Sequence, residues 1–271
     1  MAYRRVQRTK DGLNIGVSTL FLLGSDFDGV IRAIRKSSVQ SWEIFDDGSH
    51  SLDEKKVRRI LRVSKSREIS YTVHGPICDL NLATLNPQLR GLVVKRLKKS
   101  LVNAASLGAA RWVLHPGTHG ALSWVRLGED WDVNLRNLRE IEQFARALKV
   151  EVGIENISAG LAILGHVKDF LRLYRDWPKA PQVAFDVGHA HIKREIDEFI
   201  SRLGSRIIHV HAHDNHGDTD RHLSIGSGTV RWRKVLRSLL ETGFEGQIVI
   251  ESAKAPFASH RKIEDLVRSL K

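Results

Sequence analysis

Nine side chains of metal-ligand type recur along the sequence: His74, His115, Glu155, Asp186, His189, His211, Asp220, His222 and Glu251. Most of them close a short apolar run or follow it directly, as in Tyr-Thr-Val-His74-Gly-Pro, Val-Leu-His115-Pro-Gly, Gly-Ile-Glu155-Asn, Phe-Asp186-Val-Gly-His189, His-Val-His211-Ala-His-Asp and Ile-Val-Ile-Glu251-Ser. Asp220 and His222 lie in Asp-Arg-His-Leu-Ser-Ile-Gly-Ser-Gly. Singly, each has an ordinary reading as a hydrogen-bonded histidine or a helix-capping carboxylate. Brought to one volume, the carboxylates would repel one another and lose hydration unless a cation compensated. Imidazole and carboxylate without thiolate suit Zn²⁺, Mn²⁺ or Co²⁺. The chemistry expected is that of a divalent metal centre.

Spacing adds detail. In Asp220-Arg221-His222 an extended backbone turns the first and third side chains to one side, so both can reach one ion. Asp186 and His189 are placed to serve neighbouring ions. Gly226 and Gly228 let the following loop bend towards the site and offer backbone N–H groups, and Asn156 and Asp214 are expected to orient the ligands. His209 precedes His211 by two residues, so it points the same way but deeper, as a packing residue. His213 and His216 read equally as substrate contacts or as surface residues. His50, His119, His166 and His260 are expected to stand apart from the site.

Eight β-like runs must position these groups: Leu13–Ser18, Ser41–Phe45, Ile69–His74, Arg111–His115, Val150–Glu155, Gln182–Asp186, Ile207–His211 and Gln247–Glu251. Their apolar, often β-branched make-up suits strands buried on both faces. Amphipathic stretches separate them, such as Asn134–Leu148 with apolar residues at helical spacing. Eight β–α units predict a single closed (β/α)₈ barrel, an α/β fold whose sites lie at the C-terminal strand ends. No Gly-x-Gly-x-x-Gly follows the first run, which argues against a doubly wound sheet. Residues 1–10 read as a flexible basic tail and residues 11–271 as the barrel.

Composition bounds the function. The 271 residues are 42% hydrophobic and 27% charged, ordinary for a soluble protein. Cys78 is the single cysteine, so neither an intrachain disulfide nor a thiolate zinc cluster can form. No apolar run approaches a membrane span and no secretory leader is evident, so the expectation is a cytoplasmic protein with no membrane or protein partner. The net charge of +12 is carried in part by Lys55, Lys56, Arg58, Arg59, Arg62, Lys65 and Arg67 on one predicted helix, and by Lys95, Arg96, Lys98 and Lys99 on another. Both read mainly as solvated outer faces.

From about Leu13 to Leu270 the chain resembles the xylose isomerase-like TIM barrels, and within them the endonuclease IV group (AP endonuclease family 2). His115-Pro-Gly-Thr-His, Glu155-Asn, Asp186-Val-Gly-His189 and Asp220-Arg-His-x-Ser-x-Gly-x-Gly carry the likeness. That group holds three zinc ions on five His, two Asp and two Glu, and the nine residues above supply that set in order. By this resemblance Glu155 bridges two ions and Glu251 holds the site of the attacking water; Arg221, as a basic residue beside the ligands, is the expected phosphate contact. The activity implied is zinc-dependent hydrolysis of duplex DNA at abasic sites. Two features depart from it. Ile77 stands where an inserted aromatic is expected, and the loop after the second strand, Asp46-Asp47-Gly-Ser-His50, is acidic.

The alternative on the same scaffold is a sugar or sugar-phosphate isomerase or epimerase. Those relatives use one divalent ion (Mn²⁺, Mg²⁺ or Co²⁺ as well as Zn²⁺) on residues matching Glu155, Asp186, His211 and Glu251, and the two glutamates shuttle the proton α to a carbonyl. Gly217 occupies the place where sugar epimerases often carry an arginine. A barrel that only stores metal or binds nucleic acid would leave so complete a ligand shell without a use.

Overall fold

Short runs dominated by Val, Ile and aromatic residues form strands here because both of their faces find apolar cover. In the computed structural model, which describes residues 13–270, these runs are β1 (Asn14–Ser18), β2 (Ser41–Phe45), β3 (Ser70–His74), β4 (Arg111–Leu114), β5 (Glu151–Glu155), β6 (Gln182–Asp186), β7 (Ile207–Ala212) and β8 (Gln247–Ile250). All pair in parallel and in sequence order, and β8 returns to β1, closing the barrel. The expected tail, residues 1–10, lies outside the described residues.

The described helices are α1 (Phe27–Lys36), α2 (Glu54–Val63), α3 (Pro87–Leu107), α4 (Glu129–Ala147), α5 (Val167–Asp176), α6 (Val187–Lys193), α7 (Ile196–Leu203), α8 (Trp232–Glu241) and α9 (Pro256–Arg268). Local chemistry sets their ends. Asp26, Asp53 and Asn86 accept backbone N–H groups at the starts of α1, α2 and α3. Gly108, in the left-handed region, ends α3. Helix α4 begins five residues before the expected start at Asn134. Glu129, Asp130 and Asp132 make its first turn, where acidic residues suit the helix dipole although they show no apolar periodicity.

The apolar core lies between strands and helices, with Trp42, Trp112, Phe170 and Phe185 fully covered. At roughly 1.5–3 kcal/mol per large side chain, this layer is the main stabilising term. The barrel's inside is different in kind. Glu43, Thr72, His209, His211 and Gln247 are buried there, so the strand ends rest on a polar interior.

Two basic clusters are less uniform than expected. Lys65 and Arg67 lie beyond the end of α2, and Arg67 donates to the carbonyls of Ile34 and Val39, tying down the approach to β2. Arg96, on α3, donates to the buried Asp46 carboxylate at 2.9 Å.

Candidate metal centre

Strand alternation builds the heart of the site. His209, His211 and His213 are spaced by two, so they point the same way as a ladder rising through β7 to the loop beyond it. All three are fully buried. The lowest rung, His209, lies 3.0 Å from Glu43 Oε2, and His211 reaches Glu43 Oε1 through Nε2 at 3.1 Å. His211 Nδ1 turns to the centre, 2.8 Å from Glu155 Oε1, 3.7 Å from Glu251 and 3.9 Å from Asp186. Glu155, Asp186, His211 and Glu251 each offer a ligand atom within 4.8 Å of the others.

His74 and His115 converge on the other oxygen of Glu155, at 3.3 and 2.9 Å. On the opposite flank, His189 Nε2 and His222 Nε2 approach Asp220 at 3.1 and 3.3 Å. All nine predicted ligands therefore meet at the C-terminal end of the barrel. The pairing around the third group differs in detail from the expectation: the compact sets there are Asp186–His189–His213 and His213–Asp220–His222.

The hydrogen bonds on the far sides of these rings test whether a cation fits. His74 Nδ1 lies 2.8 Å from Gly75 O, His189 Nδ1 2.8 Å from Asn156 O, and His222 Nδ1 2.9 Å from Glu251 O. A carbonyl can only accept, so each Nδ1 carries the proton. In the neutral ring, Nε2 then presents a lone pair to a carboxylate oxygen, acceptor against acceptor. Only a further proton or a metal ion between them relieves that, and imidazole ligands backed by carbonyls are the usual arrangement around a metal.

The titration behaviour carries the same message. Burial opposes charge on His189, yet Asp186, Asp220 and Glu155 outweigh it and push its pKa up to about 10. Burial likewise opposes charge on His222, but Asp220, Glu251 and Asp186 lift it to about 9. His74 and His211 move upward for similar reasons, whereas burial prevails at His115 and lowers it. Glu155, although buried, is held well below the usual range by His211 and His115. Glu251 moves up because burial is its largest influence.

Surrounding residues fix the frame. Asn156 donates to Asp186 O and accepts from Asp186 N, joining β5 to β6 as expected of an orienting residue. Asp186 Oδ1 caps α6 by accepting from His189 N at 2.6 Å. Asp214 acts on the loop rather than on the ligands: its carboxylate accepts from Asn215 N, Gly226 N, Val230 N and Trp232 Nε1. The N–H of Gly226 is thus engaged and does not face the site. At Gly228 a Cβ would fall 2.3 Å from Asp214 Oδ1, so the loop closes only over a glycine.

Arg221 does not join the centre. Its guanidinium pairs with Asp218 at 2.6 Å and is half exposed. The acidic β2–α2 loop also has a structural role. Asp46 binds Leu52 N and Arg96, while Asp47 Oδ2 accepts from Ile77 N and Cys78 N, each at 2.8 Å. His50 bonds to Ser25 O, and His119, His166 and His260 have partners away from the centre. His216 is exposed.

Two functional candidates fell outside the pattern of strand-end residues. Glu43 lies inside β2 rather than at its end, and its signal was a charge within the otherwise uncharged strand Ser-Trp-Glu43-Ile-Phe. His213, fully buried, is the other; its signal is the two-residue alternation from His209.

Comparison with known proteins agrees with this architecture. The profile of the xylose isomerase-like TIM barrel matches residues 31–271. The uncharacterized protein MJ1311 of Methanocaldococcus jannaschii is 32% identical over 262 residues, covering 95% of this chain and 87% of that protein. A probable endonuclease 4 of Staphylococcus saprophyticus is 27% identical over 202 residues, covering 66% of this chain and 65% of that one. Among solved structures, a D-tagatose 3-epimerase-like protein superposes with a TM-score of 0.89 at 29% identity, over 95% of this chain and 98% of that one. The profile match over most of its length shows that the chain belongs to the xylose isomerase-like TIM-barrel family of enzymes.

Proposed function

We propose that the chain is a metal-dependent isomerase or epimerase of a small sugar or sugar phosphate, exchanging a proton at the carbon next to a carbonyl. One observation carries this: the buried carboxyls of Glu155 and Glu251 share a small volume with Asp186 and His211, each offering a ligand atom within 4.8 Å of the others. Two carboxyls facing one small volume suit a base and an acid serving one reaction. The likeness to the D-tagatose 3-epimerase-like protein over nearly the whole chain supports the substrate class.

An ion held by Glu155, Asp186, His211 and Glu251 would supply Lewis-acid polarisation of the substrate carbonyl. Glu155 takes the proton from the adjacent carbon, and its C–H electron pair moves towards the carbonyl. Glu251 delivers a proton to the other face of the same carbon for epimerisation; for isomerisation it delivers it to the neighbouring carbon, while the hydroxyl on the first carbon passes its proton to the former carbonyl oxygen and becomes the new carbonyl. Both carboxyls are at most 3% exposed, so water is kept from competing for either proton. Glu43 holds His211 from below, and His115, Asp220 and His222, being partly exposed, are the ligand-type residues that an incoming sugar meets.

A second reading, phosphodiester hydrolysis at abasic DNA, is favoured by one specific feature: ligand groups flank the central quartet on both sides, as a three-zinc nuclease requires. The two readings separate in one experiment. Metal-loaded protein is incubated in D₂O with a panel of ketoses and ketose phosphates, and in parallel with an abasic duplex. Loss of the proton signal next to the carbonyl, abolished by Glu155→Gln, is the expected result. Duplex nicking without any exchange would replace this proposal by the nuclease.

A further inference from the structure

We infer that His213 is a metal ligand, closing a four-residue shell with His189, Asp220 and His222 at the outer flank of the centre. This rests on the reading of the barrel end as a metal centre, and it adds a ligand that the nine-residue set lacks.

Position comes first. His213 belongs to both compact groups on this flank, Asp186–His189–His213 and His213–Asp220–His222. Its Nε2 lies 3.2 Å from Asp186 Oδ2 and 3.5 Å from Asp220 Oδ1. Its ring stacks on that of His222 at 3.9 Å and meets the ring of His189 edge-on at 5.8 Å. Two imidazoles stacked face to face beside a shared carboxylate present their ring nitrogens to the same space.

The fold also makes room for this ring. A Cβ on Gly188 would fall 2.0 Å from His213 Cε1, so the imidazole occupies space that any other residue at 188 would fill. His213 is fully buried, and its Nδ1 has no partner. Its Nε2 is the nitrogen that faces the two carboxylates.

The chemical consequence concerns openness. Three imidazoles and one carboxylate satisfy the four positions that zinc takes in closed sites. An ion held by all four would have no vacancy for a substrate oxygen. Such an ion would tie the Asp220–His222 segment to the ends of β6 and β7.

The test is metal content and cobalt spectroscopy on the full chain. Apo protein is titrated with Co²⁺ and, separately, loaded with Zn²⁺, dialysed and counted. Wild type should retain the outer ion and show the intense visible bands of four-coordinate Co²⁺. His213→Asn keeps a donor for Asp186 but lacks the imidazole, and it should lose one ion per chain and those bands while the inner ion remains. Asp220→Asn, a change at a partly exposed position, should remove the same ion and guards against misfolding of the buried variant. Overturning results are an unchanged ion count and spectrum in His213→Asn, or a wild type that holds the inner ion alone. A wild type that holds no ion would instead remove the metal-centre reading itself.

Discussion

Replacing Glu43 by Gln asks whether the centre is held from beneath. Glu43 lies on β2 with no exposed surface, one oxygen 3.1 Å from His211 Nε2 and the other 3.0 Å from His209 Nε2 and 3.1 Å from Thr72 Oγ1. Gln matches its volume, so no cavity opens, but it offers a single acceptor oxygen where the carboxylate offers two. The hydrogen bonds at stake are those from His211 Nε2 and Thr72 Oγ1, and where the amide turns its NH₂ to His211 that ring is no longer fixed with Nδ1 facing the ion. Partners of this type alter metal affinity by about 10–100-fold, equivalent to about 1.4–2.7 kcal/mol. Competition with a chelator for Zn²⁺ or Mn²⁺ measures the change, and Thr72→Val, which removes only the hydroxyl donor, should show a smaller effect. Melting is followed in parallel, because leaving a buried charge unpaired costs about 3–5 kcal/mol. If Glu43→Gln bound the ion as wild type does, the claim that Glu43 orients His211 would fall.

Other consequences can be measured as simply. Gly188→Ala should destabilise the fold by about 1–3 kcal/mol through overpacking against the His213 ring, read from denaturant midpoints; an unchanged midpoint would mean the ring can move aside. Without ions, His189 and His222 keep protons up to about 10 and about 9, above the ~6.5 of an unfolded chain. Their stabilising contribution is therefore complete below about pH 6.5 and is lost as pH rises through 9 to 10, so chelated protein should melt lower across that window. Ion-loaded protein, where the cation replaces the proton, should hold its melting point there, and a flat profile for the chelated form would contradict the assignment. Asp214→Asn should cost about 1–3 kcal/mol, because at least one of four donors loses its acceptor. Limited proteolysis should then cut between Gly217 and Val230 sooner than in wild type.

Much of this architecture can be read from the sequence because the barrel uses short-range signals. Every strand begins and ends within one residue of its expected bounds, since each run carries a core of apolar, often β-branched or aromatic residues. Ligands at strand ends follow from the same pattern, because closing the barrel brings those ends together. What escaped depends on depth rather than order along the chain. Glu43 and His213 act from inside β2 and from the first position beyond β7, where only the closed barrel reveals which groups face them. Asp46 and Asp47 looked like an acidic rim, yet they are neutralised by Arg96 and by backbone amides from distant segments. Arg221 looked free to bind phosphate until the loop placed Asp218 beside it.

The most direct measurement is a metal count on the full chain, loaded with Zn²⁺ or Mn²⁺, dialysed and analysed by plasma mass spectrometry, with melting recorded before and after loading. Retention of at least one ion per chain, a higher melting point, and loss of both in Glu155→Gln is the predicted result. Protein that retains no ion and melts at the same temperature with and without metal would contradict a cation-bound centre.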